Sequence, residues 1–173
     1  DWEQADVGTN ALALVAFTEL ARTGADRSYV PTIRTLASFL RSQQRPDGEL
    51  MHMYDRATGK PVDVQYLYFT GEAALALARA HRVTEDPRDL EAAARALAHL
   101  ARKSWSFFGS RYYWSEEHWT CQAVDELWER APDPVALAFC RDWHVYQRAL
   151  QQSEGDSPFD GDGSFGFGPV VSP

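Results

Sequence analysis

Gly8-Thr9-Asn10-Ala11-Leu12-Ala13-Leu14 returns 63 positions later as Gly71-Glu72-Ala73-Ala74-Leu75-Ala76-Leu77. Each copy opens a helix rich in small residues, and each is followed by a second, longer amphipathic segment. Self-similarity at a long period marks a repeat architecture. The repeating unit here reads as a helical hairpin, which makes the expected fold all-α.

Periodicity and punctuation extend that reading to six helices, over residues 9–22, 31–44, 70–83, 87–103, 116–130 and 134–152. Thr23-Gly24 stops the first, and Pro31, Pro87 and Pro134 suit first helical turns. In the second helix Ile33, Leu36, Ala37 and Leu40 recur at three- and four-residue steps, which puts them on one face. The first and third helices are dense in Ala and Leu around much of their circumference, as inner helices packed on several sides are. The second and fourth carry a charged face, as outer helices do. Three hairpins with inner and outer members predict a curved two-layer arc.

Two long connections interrupt the helices. In residues 45–68, Pro46-Asp47-Gly48 and Thr58-Gly59-Lys60-Pro61 are turns flanking short extended runs, so a small β-hairpin or a plain loop both fit. Residues 104–115 hold a run of aromatic side chains. We divide the chain into a helical domain over 1–152, a partial one at three hairpins, and a Gly/Pro-rich flexible segment over 153–173. Asp160-Gly161-Asp162-Gly163-Ser164 in that tail lacks the remaining ligands of a calcium loop and reads as connection.

Composition narrows function by exclusion. At 45% hydrophobic the 173-residue chain can bury a core, so it is not compositionally disordered. Its formal charge of −8, spread along the chain, disfavours nucleic acid, which requires clustered Lys and Arg. There is no membrane-spanning apolar run and no zinc-ligand spacing, and no cofactor is implied. Cys121 and Cys140 fall in consecutive predicted helices. Without a wider cysteine pattern they read as buried free thiols rather than a structural disulfide.

The phrase Tyr68-Phe69-Thr70-Gly71-Glu72-Ala73-Ala74-Leu75-Ala76-Leu77, followed by Thr84-Glu85-Asp86-Pro87, resembles a hairpin of the α/α-toroid superfamily. That superfamily includes six-hairpin glycosidases and N-acylglucosamine-type sugar epimerases. Gln43-Gln44-Arg45-Pro46-Asp47-Gly48 is similar to a phrase ending outer helices in the squalene-cyclase and prenyltransferase branch. The resemblance implies part of a toroid, completed by further chain segments or subunits. It also implies a site in the central cavity, at the inner-helix N-termini and the loops before them.

On that expectation Glu72 and Glu117 form an acid–base pair with His118 beside them. Two carboxylates across a cleft are what glycosidic-bond cleavage needs. His52, Tyr54, Asp55, Tyr113 and Trp114 are candidate contacts for a small-molecule or glycan substrate, since aromatic rings suit the apolar faces of sugars. The plainer account of the same residues is structural. First-turn carboxylates cap helices and complement their dipoles, His118 can bond a loop carbonyl, and aromatic residues anchor loops. His81 and His99 read as surface or dipole residues. The expected function is thus a carbohydrate-handling enzyme or part of one. The alternatives are a helical scaffold for a peptide or subunit and, second, an isoprenoid cyclase or transferase.

Overall fold

The computed structural model describes residues 3–24, 27–102, 117–155 and 163–164. Its described elements run β1 (Gln4–Asp6), α1 (Val7–Arg22), a short 3-10 turn (Arg27–Tyr29), α2 (Val30–Ser42), β2 (Met53–Asp55) and β3 (Lys60–Val62). Four helices follow: α3 (Phe69–Thr84), α4 (Pro87–Arg102), α5 (His118–Leu127) and α6 (Pro134–Ala149). All six helices expected from periodicity are present, with ends that shift by a few residues.

Local chemistry sets several of those ends. Asp6 caps α1 by accepting from the Thr9 amide at 2.6 Å. Asp133 caps α6 by accepting from Val135 and Ala136, and Pro134 occupies the first turn. Burial works to raise the Asp133 carboxyl, but those two amides and Arg102 outweigh it and hold it below the usual range. Between α3 and α4 the chain reverses through Glu85, which has a left-handed φ of 56°. There the His81 ring, in the last turn of α3 as a dipole role expects, also bonds the Asp86 carbonyl at 2.9 Å and so clamps the turn.

The helices pack in two rows. α3 touches α1, α2, α4 and α5, while α4 and α5 both touch α6. Ten of the sixteen residues of α3 are buried, as its all-round Ala/Leu composition leads one to expect. α1 departs from that expectation. Its buried residues form a stripe, and Leu12 and Leu20 on its other side are exposed because no described element covers them. Between the outer helices Arg41 of α2 pairs with Asp89 of α4, whose carboxylate is 1% exposed and also accepts from Thr84. Burial pushes the Asp89 carboxyl up, against the pull of Arg41.

The two glycines of the repeated phrase sit where inner helices meet. A Cβ on Gly8 would fall 2.4 Å from the Phe69 ring, and one on Gly71 would lie 3.1 Å from Trp119 Cβ. The starts of α1, α3 and α5 are therefore gathered at one end of the molecule, with the three helices running in the same direction. At that end the first long connection supplies β2 and β3 and the segment before α1 supplies β1 of a three-stranded antiparallel sheet ordered β1-β2-β3. The hairpin β2–β3 answers the turn signals. β1, pairing Asp6 with Met53 and Gln4 with Asp55, was not foreseen, since three residues carry no alternation to read.

The cysteines overturn their expectation. Cys121 of α5 and Cys140 of α6 form a disulfide, with Cα atoms 5.6 Å apart, because helix packing brings them to bridging distance. After α6 the chain folds back: Gln152 N–H donates to the Ser164 carbonyl at 2.7 Å and Gly163 N–H to the Gln152 carbonyl at 3.0 Å.

Candidate functional site

The end of the array that gathers the inner-helix starts also carries most of the sequence-derived candidates. Glu72 lies in the first turn of α3 and is 3% exposed; Glu117 immediately precedes α5 and is 7% exposed. Trp119 and Thr120 pack on Gly71, so the two carboxylate-bearing helix starts are neighbours. Positive helix ends favour negative charge there. Glu117 makes no side-chain cap bond to its helix, so capping does not account for its position. Burial, and then the Glu117 charge, raise the Tyr146 phenol of α6 above its ordinary range.

Beside these glutamates runs a hydrogen-bonded chain that sequence reading missed. Tyr66 N–H donates to His52 Nδ1 at 2.6 Å, which leaves the hydrogen of a neutral His52 on Nε2. Nε2 bonds Thr70 Oγ1 at 2.8 Å, and the Thr70 hydroxyl donates in turn to Glu49 Oε1. The other oxygen of Glu49 meets His99 Nε2 at 3.0 Å. His99 Nδ1 faces the Asp47 carbonyl at 3.2 Å and must carry a hydrogen to bond it. His52, Thr70 and Glu49 are all buried, and the chain reaches solvent through His99.

His99 opens on a groove of about 560 Å³ lined also by Arg45, Asp47, Glu49, Gln65, Ala98 and Arg102. Its cations are matched by carboxylates: Arg45 by Asp47 and Asp63, Arg102 by Asp133. Arg45 in turn holds the Asp47 carboxyl below the usual range. His99 sits in the last turn of α4, as a dipole role expects, and its two ring contacts add a second task. It ties α4 to the loop that leads into α3. A Gln44 to Gly48 phrase does the same work from the other side. The Gln44 side chain donates to the Ala92 carbonyl at 2.8 Å and to the Gly48 carbonyl at 3.2 Å. Gly48, at φ +94°, lies so close to α4 that a Cβ would meet the Arg95 carbonyl oxygen at 2.4 Å.

The remaining candidates divide. His52 is 1% exposed and its ring nitrogens are both bonded, so it fastens the loop. Tyr54 on β2 packs edge-on against Phe39. Asp55 accepts from the amides of Ala57 and Thr58, bonds that build the β2–β3 turn and hold its carboxyl below the usual range. His118 packs tilted against Trp119 and lines a groove with Arg79, Cys121, Gln122, Asp125, Glu126 and Trp143, to which Glu72 does not contribute. Tyr113 and Trp114 lie outside the described residues. Exposed rings do occur just before α3: Tyr66 and Tyr68 flank Phe69 with centroids 5.0 and 5.4 Å from it.

No described helix is long and apolar enough to cross a membrane. No protein-family model matches the chain, and neither does any curated protein sequence.

Proposed function

We propose that this chain is a carbohydrate-handling enzyme or part of one, its three hairpins forming a portion of an α/α-toroid. The observation that carries the reading is the pair of buried carboxylates, Glu72 and Glu117, at the starts of neighbouring helices, with the exposed rings of Tyr66 and Tyr68 in the segment that leads into α3. In a hydrolytic reaction one carboxyl protonates the departing glycosidic oxygen, while the other activates water or attacks the anomeric carbon. In an epimerisation the same pair would remove and return a proton. Burial of a carboxyl suits the protonated partner. The tyrosine faces stack on the sugar ring. Tyr113 and Trp114 are further proposed contacts, on sequence grounds.

The test is turnover by the chain on a panel of oligosaccharides and N-acylated sugars, read by product chromatography. Glu72→Gln and Glu117→Gln should each lower kcat by about 10²–10⁴-fold with an unchanged melting temperature. Tyr68→Ala should act on KM. Full turnover in both glutamine variants would sink the assignment. A second reading, a helical scaffold for a peptide or protein subunit, draws on the apolar side chains left exposed on α1 and α6, Leu12, Leu20, Val135 and Val145. It expects partner binding that survives replacement of both glutamates.

A further inference from the structure

The far end of the helix array is built from different chemistry. α1, α3 and α5 run parallel, so their last turns converge there. Between them lies a cleft of about 200 Å³ lined by Thr18, Glu19, Ala21, Val83, Glu126 and the arginines 22, 27, 79 and 82. Four guanidinium groups against two carboxylates leave two positive charges in one small space, on a chain whose formal charge is −8.

Helix ends by themselves attract cations. That explains single arginines in last turns, but not their convergence. The two carboxylates are already shared out. Arg22 grips Glu19 through two nitrogens, Nε at 2.9 Å and Nη2. Glu126 serves two arginines at once: Arg79 Nε lies 3.2 Å from one oxygen and Arg82 Nε 2.7 Å from the other. Arg82 also donates to the Glu126 carbonyl at 3.0 Å. Arg27, which comes from the 3-10 turn rather than from a helix end, has no acidic partner among the described residues. The charges act on one another across the cleft. Arg79 as well as Arg22 lowers the Glu19 carboxyl, and Glu126 helps to raise Arg22.

Size and charge select the occupant. A volume of about 200 Å³ falls below the roughly 300–1,000 Å³ of sites that enclose drug-sized ligands, so one small group fits. Planar guanidinium forks match the oxygens of tetrahedral anions, and a surplus of two charges matches a dianion. We propose that this cleft binds a phosphate dianion, either free or as the end of a phosphomonoester. Arg27 and Arg22 stand at its mouth, and Arg79, the least exposed of the paired arginines, forms its floor.

The experiment is a thermal melt of the chain titrated with inorganic phosphate, and separately with glucose 1-phosphate, at ionic strength held constant with sodium chloride. A ligand that binds only the folded state raises the melting temperature with concentration. We expect a saturable rise with phosphate. Arg27→Gln and Arg22→Gln should each weaken the apparent affinity about five- to ten-fold, with little change in the phosphate-free melt. Arg45→Gln, in the groove at the other end, should leave the affinity unchanged. A larger response to glucose 1-phosphate than to phosphate would identify the ligand as a phosphomonoester, and the reverse as the free anion. Absence of any rise, or the same rise in both arginine variants as in the parent, would overturn the proposal. Glu72→Gln should keep the full phosphate response, which separates this site from the carbohydrate reading.

Discussion

The Thr70 hydroxyl accepts from His52 Nε2 and donates to Glu49, so removing it leaves two buried polar groups without that bond. Buried groups left without a partner cost more than the bond itself was worth. Thr70→Val, nearly the same in shape, should therefore lower stability by about 1–3 kcal/mol in urea unfolding. Thr35→Val makes a useful contrast. Its hydroxyl only bonds the Pro31 carbonyl on an exposed face, and its loss should stay within about 0.5 kcal/mol. Equal effects of the two changes would contradict the buried chain described above. None of this was legible at residue level. Glu49 and His99 are 50 positions apart, and nothing in either neighbourhood marks the other. Glu72 and Glu117 were legible because each stands at a helix start, a position that local punctuation reveals.

At the scale of elements, α6 is the least supported helix. Among the described elements it packs mainly on α4 and α5, and the Cys121–Cys140 bond holds it to α5. A cross-link over 19 residues restricts the unfolded chain by about 3 kcal/mol on the chain-entropy account. Reduction of the protein, or the double change Cys121→Ala with Cys140→Ala, should lower the melting temperature. The double variant should then be insensitive to reductant. An unchanged melt on reduction would mean that the bond contributes nothing to the fold. Disulfides persist in oxidising surroundings, so the same measurement bears on the redox conditions in which the protein keeps α6 in place. The elements themselves were mostly readable, because caps, prolines and apolar spacing act within a turn or two. β1 was not: it exists only because residues 4–6 meet β2 from across α1 and α2.

For the whole molecule, α3 is the axis of the fold. It is walled by four other helices, whereas α1 has a bare side and α6 lies at the edge. Native-state hydrogen exchange should find the α3 amides opening only with global unfolding, and those of α6 opening at lower free energy. Uniform protection across the six helices would argue against this ranking. Periodicity, caps and the repeated glycine phrase determined the helices, their order and the close approach of α1 to α3, since these follow from short-range spacing and from the need for small residues where helices cross. Tertiary structure alone decided the rest. It chose which buried polar groups meet, joined the two thiols, left one face of α1 uncovered and drew four arginines around one cleft. Those outcomes depend on distances between segments far apart in sequence, which only packing in three dimensions sets.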